Sequence, residues 1–302
     1  MSVPLTTPGQ NGYLTFAGTA GWRVSAVETM SAGICVGIVI YKPDMTVLSN
    51  HIACGSGGFQ DPVTLPTTGT YTLKLDPSYG ATATVTARLY NVVDYSGSID
   101  IGGPAVSVPL LTPGQNARLT FAGTQGIRMS MYETISPGIC AAMVIYKPDT
   151  TVLSNQTACG SSGFHEPITL PVTGTYTLLV DAAYGATATI APRLYNAGDV
   201  TGTIVLGGGP VTVSLPNPGQ NGQLTMAGTA GRQATVRLTG NTIWSVTVKL
   251  LKPDGSTLVQ GSGSTASFNL ATQTLPTTGT YTVVLDPYAA STGNITVTVT
   301  SP

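Results

Sequence analysis

The side chains that most often perform chemistry in proteins are few in this sequence. Two histidines and 13 acidic residues are present among 302 residues. His51 and His165 are not repeated at equivalent places in the chain, and no motif puts a serine or cysteine nucleophile beside a base. The sequence therefore predicts that the protein is not an enzyme.

Two series of aspartates recur along the chain, and paired carboxylates can serve acid–base or calcium chemistry. Each aspartate, however, lies in a turn beside proline or small residues, where Asp commonly bonds to the backbone. No D-x-D-x-D-G calcium loop is present. We therefore expect structural roles, without a metal or another cofactor. The two series are Asp44, Asp149 and Asp254, and Asp76, Asp181 and Asp286.

The four cysteines offer disulfide or metal chemistry. Cys35 and Cys54 recur as Cys140 and Cys159, and both positions become serine in a third copy. Four cysteines allow three pairings, of which the repeat favours Cys35–Cys54 and Cys140–Cys159. Metal binding is the alternative, but there is no CxxC and no repeated His. Disulfides predict a secreted or cell-surface protein, and the missing signal peptide then suggests a mature chain or an excised fragment.

These side chains must be positioned by a unit of 105 residues that is repeated three times. Leu65, Leu170 and Leu275 each open a Leu-Pro-x-Thr-Gly-Thr-Tyr-Thr run, and the copies align without insertion or deletion. Apolar and polar residues alternate after each run, which predicts a strand with one buried face. The same letters spell a sortase sorting signal, but three internal copies ahead of core strands argue against that function. The tyrosine of each run is predicted to form a tyrosine corner; these are Tyr71, Tyr176 and Tyr281.

Short strands separated by turns every 8–12 residues predict an all-β protein made of three tandem β-sandwich domains. We expect strands at Ser98–Ile101 and Thr203–Leu206 to open the second and third domains, after short linkers. The first domain then lacks this first strand, and one sheet edge is left open. Asn50–Gln60 is predicted to be a Gly-Ser loop. The predicted domains are residues 1–92, 93–197 and 198–302.

Three runs carry a resemblance to the bacterial pre-peptidase C-terminal domain family. They are Pro113–Thr124, Lys252–Leu258 and the Leu-Pro-Thr-Thr-Gly-Thr-Tyr-Thr run, and the resemblance extends over all three units. It implies jelly-roll-like β-sandwiches, which occur beside secreted peptidases and as tandem repeats in large surface and Rhs-type proteins. Some relatives bind collagen or calcium, but no matching acidic cluster is found here. The cysteine pairs also depart from the family pattern.

Charged residues make up 8% of the chain and the net charge is −1. This composition predicts neither nucleic-acid binding nor membrane insertion. Glu and Arg are gained and lost together between copies, which predicts a Glu–Arg pair within each of the first two units. The residues concerned are Glu28 with Arg88 and Glu133 with Arg193, replaced in the third unit by Leu238 and Thr298.

Two surface features are candidates for contact with other molecules. One predicted strand, which contains Val39 and Tyr41 in the first unit, has an apolar outer face in the first two units and a polar one in the third. Either the Asn50–Gln60 loop covers this apolar face, or another subunit does. Tyr79, Tyr184 and Tyr288 are the best exposed aromatic candidates for ligand binding. The interface candidates are Val39, Tyr41, Val144 and Tyr146.

Repetition without recognisable chemistry, low charge and an open edge favour a structural function. We expect a surface scaffold, an adhesin stalk or a filament subunit that associates with itself. The alternative is a module that targets a secreted enzyme to polysaccharide or collagen in a matrix.

Overall fold

The computed structural model describes residues 1–301, apart from the side chain of Ala32, and almost all of its regular structure is β-strand. Two one-turn 3-10 helices, Ser78–Gly80 and Ala183–Gly185, lie at equivalent places in the first two units, and the described residues contain no α-helix. The all-β class that the alternation predicts is therefore confirmed.

Strand pairing groups the strands into three units. Unit 1 contains β1 (Ser2–Leu5), β2 (Gly12–Gly18), β3 (Arg23–Tyr41), β4 (Val47–Thr64), β5 (Gly69–Pro77) and β6 (Ala83–Asn91). Unit 2 contains β7 (Tyr95–Ser98), β8 (Val108–Leu110), β9 (Asn116–Gly123), β10 (Arg128–Tyr146), β11 (Val152–Thr169), β12 (Gly174–Ala182) and β13 (Ala188–Asn196). Unit 3 contains β14 (Val200–Thr203), β15 (Val211–Leu215), β16 (Gly222–Gly228), β17 (Gln233–Thr239), β18 (Val246–Leu251), β19 (Thr257–Gly263), β20 (Phe268–Asn269), β21 (Gln273–Thr274), β22 (Gly279–Pro287) and β23 (Gly293–Thr300).

One long strand joins the two layers of each of the first two units. The strands of unit 1 follow the order β1-β6-β3-β5-β2, with β4 on the other edge of β3. The first half of β3 pairs with β6 and the second half with β5, and a register shift against β4 between Thr29 and Ile34 marks the bend. Unit 3 divides the equivalent strand into β17 and β18, and so forms two separate sheets.

Each unit has its own cluster of buried apolar side chains, and the clusters share no residue. The predicted tyrosine corner is confirmed in every unit. Each ring is fully buried, and its hydroxyl donates to the main-chain carbonyl four residues earlier at 2.7 Å. A glycine lies against each ring, because a Cβ atom there would come within 3 Å of the tyrosine. The three glycines are Gly18, Gly123 and Gly228.

The prediction of a loop at Asn50–Gln60 is wrong, because this segment belongs to strand β4 and pairs with β3. Its small residues permit a close approach between the two strands. A Cβ atom on Gly57 would lie 2.6 Å from the carbonyl oxygen of Glu28. The glycine and serine content therefore reflects tight strand pairing and not a flexible loop.

The strands predicted at Ser98–Ile101 and Thr203–Leu206 are displaced by about three residues. The structure has them at β7 and β14, which begin within the stretches predicted to be linkers and run parallel to β9 and β16 of the same unit. Strand β2 is the counterpart of β9 and β16 in unit 1. Within residues 1–301 it pairs only with β5, so its outer edge is free.

Candidate functional site

The predicted disulfides are confirmed. Cys35 bonds to Cys54 and Cys140 bonds to Cys159, and the described chain has no free cysteine. Each pair lies directly opposite on neighbouring strands, just beyond the bend of the long strand. The bond therefore fastens the strand pair where its ladder is interrupted. Disulfides of this kind indicate an extracellular or periplasmic location.

The four interface candidates lie on strands β3 and β10. The proposed covering loop is part of β4, which pairs edge to edge with β3, so this explanation of the apolar face is wrong. Val144 is 8% exposed, whereas Val39, Tyr41 and Tyr146 are half-buried among side chains of neighbouring strands. Lys74 lies opposite Val39 and donates to Asp76 at 2.8 Å. Their contact with another subunit remains a prediction.

The tyrosines predicted to bind ligands are all exposed, and two share an unusual backbone conformation. Tyr79 and Tyr184 are the middle residues of the two 3-10 helices, with φ of 56° and 55°, and their side chains are 106% and 92% exposed. A non-glycine residue rarely adopts such a φ. Tyr288 is 64% exposed, and its ring packs on Trp244 at 5.9 Å. Each unit thus presents an aromatic ring to solvent.

The predicted Glu–Arg pairs are wrong, because each glutamate pairs with a histidine. Glu133 Oε1 lies 2.9 Å from His165 Nε2, and Glu28 Oε2 lies 3.3 Å from His51 Nε2. Both glutamate side chains are fully buried. Glu133 Oε2 and Glu28 Oε1 have no hydrogen-bond partner among the described residues, which is uncommon for buried oxygens.

The sequence contains a signal for these Glu–His pairs, but the two histidines do not align with each other when the units are superimposed. His165 aligns with half-buried Gln60, and His51 aligns with exposed Gln156, so the two units supply their imidazoles from different positions of equivalent strands. Unit 3 has Leu238 in place of the glutamate and Leu270 at the position of His165, and both are buried. The glutamate is present in the two units that have a histidine and absent from unit 3, which has none, and this co-occurrence identifies the pair.

The arginines have other partners. Arg193 Nε donates to the carbonyl oxygen of Gly103 at 2.9 Å, and its guanidinium lies over the ring of Tyr195. Arg88 lies over the ring of Tyr90 in the same way. Gly103 lies between β7 and β8, so Arg193 fastens this connection to β13.

Asp44, Asp149 and Asp254 occupy turns, as expected. The prediction of turns is wrong for the second series, because Asp76, Asp181 and Asp286 lie in strands β5, β12 and β22 and pair with the neighbouring strand. Asp254 accepts hydrogen bonds from the Ser256 hydroxyl at 2.6 Å and from its amide at 2.9 Å. These bonds, the hydroxyl first, lower the pKa of Asp254 to about 2. Asp181 differs, because burial, and then the charges of Asp61 and Asp94, raise its pKa.

Residues 1–301 contain no cluster of three or more His, Cys, Asp or Glu side chains that could hold a metal ion. No helix in that part of the chain has the length and apolar character needed to cross a membrane.

Neighbouring units meet at two joints that use the same chemistry. Between units 2 and 3, Arg128 Nη1 donates to the carboxylate of Asp199 at 2.7 Å and to two main-chain oxygens at 2.7 and 2.9 Å. The hydroxyl of Ser130 donates to the carbonyl oxygen of Pro218 at 2.6 Å. Gly219 packs against Pro167 from across the joint.

The joint between units 1 and 2 has the equivalent contacts. Arg23 pairs with Asp94, and the Ser25 hydroxyl donates to the Pro113 carbonyl oxygen at 2.6 Å. The ring of Phe59 in unit 1 also packs on Gly185 of unit 2 so closely that a Cβ atom there would overlap it. Both joints therefore fix one unit against the next through side-chain contacts as well as through the chain.

An apolar groove of about 230 Å³ opens on unit 1 beside the free edge of β2. Met1, Ala87 and Arg88 line it together with apolar side chains of β2, β5 and β6. The apolar side chains are Leu14, Phe16, Leu73 and Leu89. In units 2 and 3 the side chains equivalent to Leu14, Phe16 and Leu89 are buried.

No known family matches the sequence, and no curated protein matches it either. The fold is similar over part of the chain to several solved structures. One is the pre-peptidase C-terminal domain of collagenase from Bacillus anthracis, with 14% identity, 35% of this chain and 99% of that chain covered, and a TM-score of 0.30. Another is the periplasmic g-type lysozyme inhibitor PliG of Aeromonas hydrophila, with 13% identity, coverages of 34% and 99%, and a TM-score of 0.25. The PBSX exported protein XepA has 9% identity, coverages of 64% and 86%, and a TM-score of 0.23.

Proposed function

We propose that the chain is a non-catalytic structural protein of the cell exterior, made of three sandwiches of the pre-peptidase C-terminal type. The two equivalent joints are the observation that carries this proposal. Each joint has an Arg–Asp pair and a serine hydroxyl that donates across it, and Arg128 at the second joint has two main-chain acceptors besides. Units that are held in this way transmit force and keep a spacing, as a scaffold or stalk requires. The sequence runs that resemble the pre-peptidase family, and the disulfides, support the assignment.

Small-angle X-ray scattering on the intact chain tests the rigid arrangement. Asp199→Ala removes one acceptor of Arg128 at the second joint, whereas Asp254→Ala removes a carboxylate from a hairpin turn away from the joints. We expect Asp199→Ala alone to broaden the distribution of intramolecular distances. A scaffold held by its joints would be contradicted if both variants and the parent protein scattered equally. It would also be contradicted if the units of the parent protein moved freely against one another.

Self-association is part of the same proposal. The half-buried apolar faces around Tyr41 and Tyr146 are surfaces on which other copies could pack. Light scattering and electron microscopy of the purified chain should detect oligomers or ordered polymers. A monodisperse monomer at high concentration would leave a stalk and remove the filament.

A targeting module for a polysaccharide or collagen is the second candidate. The observation that favours it is the full exposure of Tyr79 and Tyr184, which are held at positive φ at equivalent places in two units. Aromatic rings presented in this way can stack on sugars or on proline-rich chains. Binding of the chain to insoluble polysaccharides and to collagen should fall in a Tyr79→Ala, Tyr184→Ala double variant. The matched control is Tyr13→Ala, because Tyr13 is also exposed but lies on β2.

A further inference from the structure

The segment of residues 95–103, which comes before β8, completes the fold of unit 2. Strand β7 pairs in parallel with β9, and the amide of Ile99 then donates to the carbonyl oxygen of Thr120 at 3.0 Å. Ile99 is 2% exposed and belongs to the core of unit 2. Ile101 forms a bridge with Leu194, and the next amide, that of Gly102, donates to the Leu194 carbonyl oxygen at 2.8 Å.

Unit 3 is completed in the same manner. Strand β14 pairs with β16 in the equivalent register, and the amide of Ile204 donates to the Thr225 carbonyl oxygen at 2.9 Å. Ile204 is buried in the core, and Leu206 packs against it. The amide of Gly207 donates to the carbonyl oxygen of Val299 at 2.7 Å.

The groove on unit 1 is the place that these segments fill in the other units. Its wall residue Leu89 is the counterpart of Leu194, which contacts Ile101, and Leu14 and Phe16 are the counterparts of two fully buried residues of β9. In unit 1 all three wall residues are half-buried. The groove therefore has the position and the apolar lining of a site for a strand that carries two apolar side chains.

The segments have features that an occupant must share. The glycine at the third position of β7, Gly97, lies against Leu119, where a Cβ atom would come within 3.2 Å. Gly202 lies against Leu224 in the same way, at 3.0 Å. A serine or threonine lies on each side of the glycine, and an isoleucine comes directly after the second of them. The shared pattern is apolar-Ser/Thr-Gly-Ser/Thr-Ile-x-Ile/Leu-Gly.

We propose that the groove and the free edge of β2 bind an extended segment of this pattern from another protein chain. The segment would lie parallel to β2, with its glycine against Leu14 and its two apolar side chains between Leu14, Phe16 and Leu89. Arg88 would donate to a carbonyl oxygen of the segment, as Arg193 does to Gly103. Strand addition of this kind combines main-chain hydrogen bonds with pockets for alternate side chains. Both segments of this pattern within residues 1–301 already complete units 2 and 3, so neither is left to fill the groove of unit 1.

The inference concerns a binding site on unit 1 and does not depend on the scaffold function. A fluorescently labelled peptide with the sequence of residues 93–105 is the probe, and its anisotropy is measured with the intact 302-residue chain. We expect saturable, one-to-one binding. A peptide with Ile99→Asp and Ile101→Asp should bind at least about tenfold more weakly, since each buried isoleucine contributes more than one power of ten to the equilibrium constant.

Two variants of the chain locate the bound peptide. Leu14→Glu puts a charge in the groove, and Ile52→Glu is its control, because Ile52 is 70% exposed on β4 of the same unit. Thr15→Pro removes a main-chain N–H at the free edge. The carbonyl group of its counterpart, Thr120, points to Ile99 and not to β12, so the main-chain groups of Thr15 point away from β5 and the pairing with β5 stays intact. Both β2 variants should abolish binding, whereas Ile52→Glu should not change it. Circular dichroism and hydrogen exchange confirm that each variant is folded.

Three results would overturn the proposal. The first is the absence of saturable binding, and the second is binding that Leu14→Glu and Thr15→Pro leave unchanged. The third is self-association of the chain that is abolished by Thr15→Pro but is not reversed by the peptide. The occupant of the groove would then be a second copy of the chain. Flexible joints in scattering experiments would refute the scaffold without affecting peptide binding, so the two proposals fail independently.

Discussion

Replacing His165 by alanine should destabilise unit 2 by about 3–5 kcal/mol, the usual cost of removing one partner from a buried ionisable pair. The Glu133 side chain has no solvent exposure, and its Oε2 atom already lacks a hydrogen-bond partner. Without the imidazole, Oε1 loses its partner as well. The carboxyl group then stays buried without compensation or has to draw water into the core.

Hydrogen exchange of the whole chain, followed by mass spectrometry of its peptides, assigns the loss to one unit. Protection of β10 and β13 should fall by about two to three and a half powers of ten, since 1.36 kcal/mol corresponds to a factor of ten. Protection in unit 3 should not change. His51→Ala is the matched control in unit 1, where the His51 side chain is 19% exposed and lies 3.3 Å from its carboxylate. Water can replace that imidazole, so the loss there should be smaller.

The double variant Glu133→Leu, His165→Leu gives unit 2 the two leucines that unit 3 has at these places, Leu238 and Leu270. Apolar replacement of a buried pair is often neutral or stabilising. The double variant should therefore regain the parent stability to within about 1 kcal/mol. A loss below about 1 kcal/mol for His165→Ala, or a double variant as unstable as the single one, would refute the assignment of the pair.

Three further predictions follow from local geometry. Gly255→Thr should cost about 1–2 kcal/mol, because φ is 81° there, whereas Thr150→Gly at the equivalent place, where φ is 65°, should stabilise the chain slightly in thermal unfolding. Replacing both cysteines of the unit 2 disulfide by serine should cost about 3 kcal/mol in denaturant unfolding, the chain-entropy value for a loop of this length. Carbon-13 NMR should find Asp254 titrating near pH 2 and should find a higher pKa in Ser256→Ala. Because the folded pKa is below the unfolded value of 3.8, this group's contribution to stability is present above pH 4 and is lost as the pH falls through about 2.

Local patterns predicted what depends on nearby residues. The alternation after each Leu-Pro-x-Thr-Gly run specifies which face of β5, β12 and β22 is buried, and the turn ahead of it specifies the tyrosine corner. The disulfides could be predicted because both partners disappear together in unit 3. Each of these features needs only the period of a strand and the comparison of three copies.

Features that depend on contacts between distant strands could not be predicted in this way. The Glu–Arg hypothesis joined two sequence changes that have separate causes. Each glutamate pairs with a histidine from β4 or β11. Arg193 instead donates to the carbonyl oxygen of Gly103, between β7 and β8. The glycine-rich stretch of β4 resembles a loop in composition, but β3 offers it backbone partners along its whole length. The groove on unit 1 is visible only when its walls are compared with their buried counterparts.

The equivalence of the two joints has a consequence for how such a chain can vary in length. Excising residues 93–197 would bring Arg23 and Ser25 of unit 1 against Asp199 and Pro218, the same residue types that they contact already. Recombination between copies could therefore add or remove a middle module without any compensating change. Unit 3 carries Gln233 and Thr235 at the two donor positions, so it lacks the arginine that pairs with aspartate at the two joints. The copy number of the middle module is thus free to evolve, while the ends keep their distinct chemistry.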